Sequence, residues 1–213
     1  MQRVGEPDPH IRIVPANEAS WDDLQAIFGT RGDPARCQCQ HYRIPASEWR
    51  SVSIEDRAFR LRDQTDCGNP GSPDTSGLVA YYDGEPAGWC AVAPRIDHDR
   101  LLTMRQTWQG RNEHRGDPGV WSVTCFVVRA GFRKRGISRA LTAATVEFAR
   151  SRGARALEGY SMITTPGKEI TWGELHVGAR NSYAAAGFRE VVQPSSRRVV
   201  MRIDFDDVDP RRR

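Results

Sequence analysis

The run Phe132-Arg-Lys-Arg-Gly-Ile-Ser-Arg-Ala-Leu141 packs four cations around one glycine. It stands between an apolar run that ends at Val128 and a helical pattern that starts near Ser138. The first turn of a helix leaves backbone N–H groups without partners, and the helix dipole adds partial positive charge there. Gly136 lets backbone approach a ligand with no Cβ in the way, and Ser138 is small enough to do the same and can also cap. Arg133, Lys134, Arg135 and Arg139 strengthen the field and can pair with phosphate directly. A strand, a glycine loop and a helix N-terminus in this order bind phosphate groups. The backbone from Arg133 to Arg139, Gly136, Ile137 and Ser138 included, is therefore expected to cradle a diphosphate. The P-loop pattern GxxxxGK[ST] and the dinucleotide fingerprint GxGxxG are both absent.

Around this loop, Val120–Val128 (VWSVTCFVV) reads as a central strand covered on both faces. Residues 138–152 read as the helix after the loop, with Ile137, Leu141, Ala144 and Phe148 on one face and Gly153 as its stop. Residues 78–94 read as a hairpin turning at Asp83-Gly84. Further strands are expected at 11–14, 156–163 and in the runs FREVVQ and RRVVMRID. Helices are expected at Trp21–Phe28 capped by Ser20, from Ser47 to about Arg62, and around Asn181–Ala186. The segments 29–47, 67–77 and 95–118 read as loops. The order of elements predicts one α/β domain around a mixed sheet.

Composition sets the bounds. The chain has 213 residues, 38% apolar and 27% charged, and a net charge of +4. That size is about one domain, and no apolar run approaches the ~20 residues of a membrane span. MQRVGEPDPH lacks the apolar core of a signal peptide, so the cytoplasm is the expected location. Five cysteines and no export signal argue for free thiols. Arginines interleave with acids, and no basic stretch carries aromatics, so a nucleic-acid face is not indicated. The tail Arg211-Arg212-Arg213 reads as a solvated end. No metal site is expected, because Cys37-x-Cys39-x-His41 lacks zinc-type spacing and a second pair; this loop reads as packing or as part of a pocket wall. Cys125 reads as a small buried hydrophobe rather than a nucleophile. The tryptophans Trp49, Trp89, Trp108, Trp121 and Trp172 read as core or pocket walls.

The pattern Arg133-x-x-Gly136-x-Ser138, preceded by Val128-Arg-Ala-Gly-Phe132, resembles the pyrophosphate loop of the GNAT superfamily of acetyl-CoA-dependent N-acetyltransferases. That loop reads Gln/Arg-x-x-Gly-x-Gly/Ala; Ser138 departs from it mildly. A second match is Tyr183-Ala-Ala-Ala-Gly187-Phe188, similar to the Tyr-x-x-x-Gly-Phe of the family. The resemblance covers 78–193, while 1–77 matches only as a strand and helices. The hairpin GWCAVAPR is of a type found in actinobacterial members.

The resemblance implies a mostly antiparallel mixed sheet flanked by helices, with splayed central strands, over a single domain of residues 1–213. It implies acetyl-CoA as donor and an amine, on a small molecule or a protein, as acceptor. Phe126, Val127 and Val128 would contact pantetheine and the thioester carbonyl. Tyr183 would protonate the leaving thiolate. Homodimers are common in the family, and that state stays open here. The position where many members carry a catalytic carboxylate is Ser122, and no Asp or Glu lies in 120–128. His98, Glu113, His114, Glu174 and His176 are the candidate bases. A small acceptor would need a closed pocket formed by 30–45, 95–118 and 164–180. The missing carboxylate is the best argument for the alternative, a degenerate acyl-CoA-binding sensor.

Overall fold

β4 (Val120–Val128) organises the molecule. Its run of apolar and β-branched residues is buried on both faces, as a central strand requires. The computed structural model describes residues 8–164 and 172–205, the side chains of 172 and 173 apart. The sequence's first residues, Lys168 and the arginine tail lie outside the described residues.

Seven strands form one sheet in the order β1-β2-β3-β4-β5-β7-β6. They are β1 (Ile11–Pro15), β2 (Leu78–Tyr82), β3 (Glu85–Pro94), β4, β5 (Ala156–Met162), β6 (Arg189–Ser195) and β7 (Arg198–Asp204). All neighbours are antiparallel except β4 and β5, which run parallel. The helices are α1 (Trp21–Phe28), α2 (Gly32–Cys37), α3 (Ile54–Thr65), α4 (Asp99–Thr103), α5 (Arg105–Trp108), α6 (Ile137–Ser151), α7 (Trp172–Leu175) and α8 (Arg180–Ala185). This is the mixed α/β, mostly antiparallel architecture that the sequence predicts.

The two faces carry separate cores. On one, α6 buries Ile137, Leu141 and Phe148 against β2, β3 and β4, with Phe148 edge-on to Trp121 at 6.0 Å. Each fully buried aliphatic side chain there contributes roughly 2 kcal/mol. On the other, α1 buries Leu24, Ile27 and Phe28 against Trp89 and Val127. Ser20 caps α1 by accepting from the Asp23 amide at 3.0 Å.

Local expectations fail in three places. The helix expected from Ser47 starts only at Ile54, because Ser53 accepts from the Asp56 amide and caps it there; its Phe59 is exposed. The loop 29–47 contains α2, and the loop 95–118 contains α4 and α5.

The feature that matters for function is where β4 and β5 part. They pair only from Val120↔Ala156 to Val123↔Gly159. Beside that point the β3–β4 register shifts, so that Ala91 faces Cys125 and Val92 faces Val123, leaving Thr124 as an extra residue. Such a bulge bends and twists a strand. Past it the strands diverge, and the chain between α7 and α8 enters the fork: the Phe126 amide donates to the His176 carbonyl at 2.6 Å, and the Met162 amide donates to that of Gly178 at 2.9 Å.

Candidate active site

The loop at 133–139 leaves the end of β4 through a 3-10 turn, Ala130–Phe132. Gly136 is the N-cap of α6 and holds φ at 77°, and Lys134 also has positive φ, 63°. A Cβ on Gly136 would meet nothing within 4 Å, so the conformation, not crowding, calls for glycine. No side chain caps α6; Ser138 sits inside its first turn rather than capping it. The amides of Ile137, Ser138 and Arg139 are thus the orphan donors of a 15-residue helix. Arg133, Lys134, Arg135 and Arg139 are exposed, and none forms an ion pair among the described residues. Arg135 lies over the Tyr82 ring at 4.7 Å.

The fork lies between this loop and the bulge. The Phe126 amide faces the fork, so strand alternation turns the Val128 amide the same way and the Val127 amide toward β3. Of the three residues expected to contact a thioester, Phe126 and Val128 stand on the fork edge. Val127 does not; its side chain packs in the α1 core.

Tyr183, on α8, reaches the fork from the α6 face. It is fully buried, lies edge-on to Phe126 with 6.3 Å between centroids, and donates to the Val177 carbonyl at 3.0 Å. Gly159 makes room for it: a Cβ there would stand 2.1 Å from the Tyr183 ring. Burial pushes the phenol well above its ordinary value, so it keeps its proton.

On the opposite face the fork opens to a cavity of about 440 Å³. Its walls include Cys37, His41 and Tyr42 from the 29–47 segment, Trp49, Cys125 of β4, and His176. Tyr42 stacks on His176 with centroids 6.3 Å apart. Of the three segments expected to form an acceptor pocket, 30–45 lines this cavity, 164–180 lines it through His176, with 165–171 outside the described residues, and 95–118 lines none of it. Burial pushes the Cys37 thiol up to about 11, and the Cys39 thiol rises as well. Such thiols stay protonated and are poor nucleophiles. Among the described residues, no group of three His, Cys, Asp or Glu side chains could hold a metal, and no helix is long and apolar enough to cross a membrane.

The segment 95–118 has another job. Glu158 on β5 is fully buried and pairs with Arg95 at 3.2 Å, with Arg202 at 2.9 Å and with Arg111. Glu113 joins Arg95 at 2.6 Å. These cations outweigh the burial cost and hold the Glu158 carboxyl below its ordinary value. The cluster staples the 95–115 chain over the end of β5. Glu158 also accepts from the Tyr160 hydroxyl at 3.0 Å, which lies 3.2 Å from the Ser122 hydroxyl. The buried acid absent at Ser122 thus stands beside it on β5, in register Ser122↔Glu158. Sequence reading missed it, although a lone acid in an otherwise apolar strand was the available signal.

The candidate bases are scattered. Glu113 belongs to the arginine cluster, Glu174 pairs with Arg197 at 2.5 Å, and His114 is exposed. His98 is buried, with Nδ1 on the Pro94 carbonyl at 3.1 Å and Nε2 3.4 Å from the Thr124 hydroxyl. Burial, helped by Arg43, lowers it to about 3. Of the five, His176 alone lines the cavity.

His98 gives an acid-stability prediction. Its folded pKa lies below the ordinary ~6.5, so the unfolded chain binds its proton first. Stability is therefore complete above about pH 6.5 and is lost as pH falls toward 3. His41, lowered to about 4 by burial and then by Arg100, acts in the same sense. Urea unfolding should show about 3 kcal/mol lost between pH 7 and pH 4 from His98 alone. His98→Gln should flatten that slope; an unchanged slope would assign it elsewhere.

The profile of the acetyltransferase (GNAT) family matches residues 40–161, more than half of the chain. A crystal structure described as that of an acetyltransferase superposes with a TM-score of 0.52 at 23% identity, covering 91% of this chain and 98% of its own. A ribosomal-protein-alanine N-acetyltransferase from Brucella melitensis gives 0.49 at 19% identity, covering 92% and 99%. A GCN5-related N-acetyltransferase from Kribbella flavida gives 0.48 at 18% identity, covering 92% and 98%. No curated protein matches the chain.

Proposed function

The chain belongs to the acetyltransferase (GNAT) family, and from that premise we propose that it moves an acetyl group from acetyl-CoA directly to an amine held in the 440 Å³ cavity. The observation that carries this reading is the position of β4. One strand joins a cation-rich helix N-terminus at its end, a fork beside the Thr124 bulge, and a cavity wall at Cys125. Donor and acceptor would thus meet at the fork, each from its own side. On this reading residues 1–213 work as one acetyltransferase domain.

The loop amides and Arg133, Lys134, Arg135 and Arg139 hold the pyrophosphate. Phe126 and Val128 offer amides to the thioester carbonyl, each donor lowering the barrier by about 3 kcal/mol. The Phe126 amide changes partner to do so, from the His176 carbonyl to the thioester oxygen. The neutral amine attacks, a C–N bond forms and the C–S bond breaks. The amine proton leaves toward His176, the candidate base in the cavity wall. The sulfur leaves as thiolate and takes the Tyr183 proton. A buried phenol is a weak acid, but the same desolvation makes a buried thiolate a stronger base.

The test is release of CoA thiol from acetyl-CoA across a panel of primary amines, with the acetylated amine identified by mass. Release that depends on the amine is expected. Binding of acetyl-CoA without acetylation of any amine would contradict the enzyme reading.

A further inference from the structure

The charges around the cavity are unevenly matched. Its acidic wall residue, Asp33, is spent on Arg36 at 2.5 Å. Arg57 also lines the cavity, and no carboxylate pairs with it among the described residues. Its guanidinium is held in place by the carbonyls of Arg36 at 2.9 Å and Trp49 at 2.6 Å, and lies 3.8 Å over the Trp49 ring. Its Nε is buried without a hydrogen-bond partner. Behind His41 stands a second cation, Arg100, 3.1 Å from His41 Nδ1 and also without an acid among the described residues. The protein has thus fixed a cation in the cavity wall and left its charge uncompensated.

Such a wall repels a simple protonated amine. It welcomes an amine that brings its own negative charge, since a guanidinium fork pairs well with a carboxylate. The remaining walls are Pro34, the thiols and the rings of Tyr42, Trp49, His41 and His176, which suit a flat apolar body. A volume of about 440 Å³ lies in the range of small-molecule sites.

We propose that the acceptor is a small primary amine that also carries a carboxylate, on a body like that of an aromatic amino acid, with the carboxylate on Arg57. The inference rests on the acyl-transfer reading of the same cavity and names its substrate class.

The experiment compares L-phenylalanine with phenethylamine, which differ by the carboxylate alone. Binding is measured by calorimetry on the CoA-saturated protein, and turnover by thiol release from acetyl-CoA. L-phenylalanine should bind at least ten-fold more tightly. Arg57→Gln should remove the difference, and Arg57→Lys should keep part of it. Because Arg57 also ties two loop carbonyls, each variant's melting temperature is checked; if Arg57→Gln fails to fold, the wild-type pair and Arg57→Lys decide. Equal or tighter binding of phenethylamine, binding of neither, or a preference that survives in folded Arg57→Gln would overturn the inference. Equal transfer to both amines would overturn it and leave the acyltransferase reading standing. L-phenylalanine bound through Arg57 but never acetylated would leave a carboxylate site at Arg57 standing and overturn its role as acceptor, along with the acyl-transfer reading of the cavity.

Discussion

Gly136→Val is expected to weaken CoA binding by ~100-fold or more, an effect of about 2.7 kcal/mol, while the protein stays folded. Gly136 stands at φ 77° as the N-cap of α6, and a Cβ there would meet nothing within 4 Å. The penalty is therefore conformational. A β-branched residue is an outlier at positive φ, with a strain of order 1–3 kcal/mol. The loop relieves that strain by turning away, and the turn carries the amides of Ile137, Ser138 and Arg139 off their common focus. Because Gly136 is exposed, the unliganded protein should melt only a few degrees lower. Gly136→Asn, which tolerates left-handed backbone, should lose much less affinity. Calorimetric titration with CoA reads all three proteins. Unchanged affinity in Gly136→Val would remove the loop from the donor site.

Tyr183→Phe should lower kcat by about 100-fold, the lower range for loss of a positioned acid, with the acetyl-CoA dissociation constant nearly unchanged. The ring packs on Phe126, Phe188 and Gly159, and phenylalanine keeps those contacts. What goes is the hydroxyl that donates to the Val177 carbonyl. Its loss should cost about 1 kcal/mol of stability, as for an ordinary buried hydrogen bond. Two separate readouts therefore distinguish roles. A purely structural tyrosine would show the stability loss with full turnover; the proton donor shows both losses. Full turnover in Tyr183→Phe would assign the residue to packing.

Where the sequence was legible, the signals were local and agreed with one another. Asp83-Gly84 carries positive φ at both positions, 50° and 86°, as the hairpin turn requires. The helix after the loop, expected over 138–152 with Gly153 as its stop, spans Ile137–Ser151. Ser20 caps α1 as its residue type suggested. The fork was visible only through resemblance, because the parting of β4 and β5 comes from a bulge at Thr124 that no composition signal marks. The cavity was half legible. Its 33–42 wall sits in a segment marked by Cys, His and breakers, but Trp49 and Arg57 come from what read as a continuous helix. Ser53 breaks that pattern, frees Trp49 from helical geometry and brings Arg57 over its ring. The arginine cluster was not legible at all. Arg95, Arg111, Glu158 and Arg202 are distant in sequence, and only the sheet order brings them together.

The central claim is that the fork and its loop belong to an acyl-CoA, and thermal unfolding with acetyl-CoA, dephospho-CoA and ATP tests it most directly. Acetyl-CoA at 100 times its dissociation constant should add about 2.7 kcal/mol, a rise of a few degrees for a domain of this size. Dephospho-CoA should follow it, since both bring a pyrophosphate and pantetheine, and ATP should fall well short of them. Failure of acetyl-CoA to raise the melting temperature at saturating concentration would contradict the account at its base.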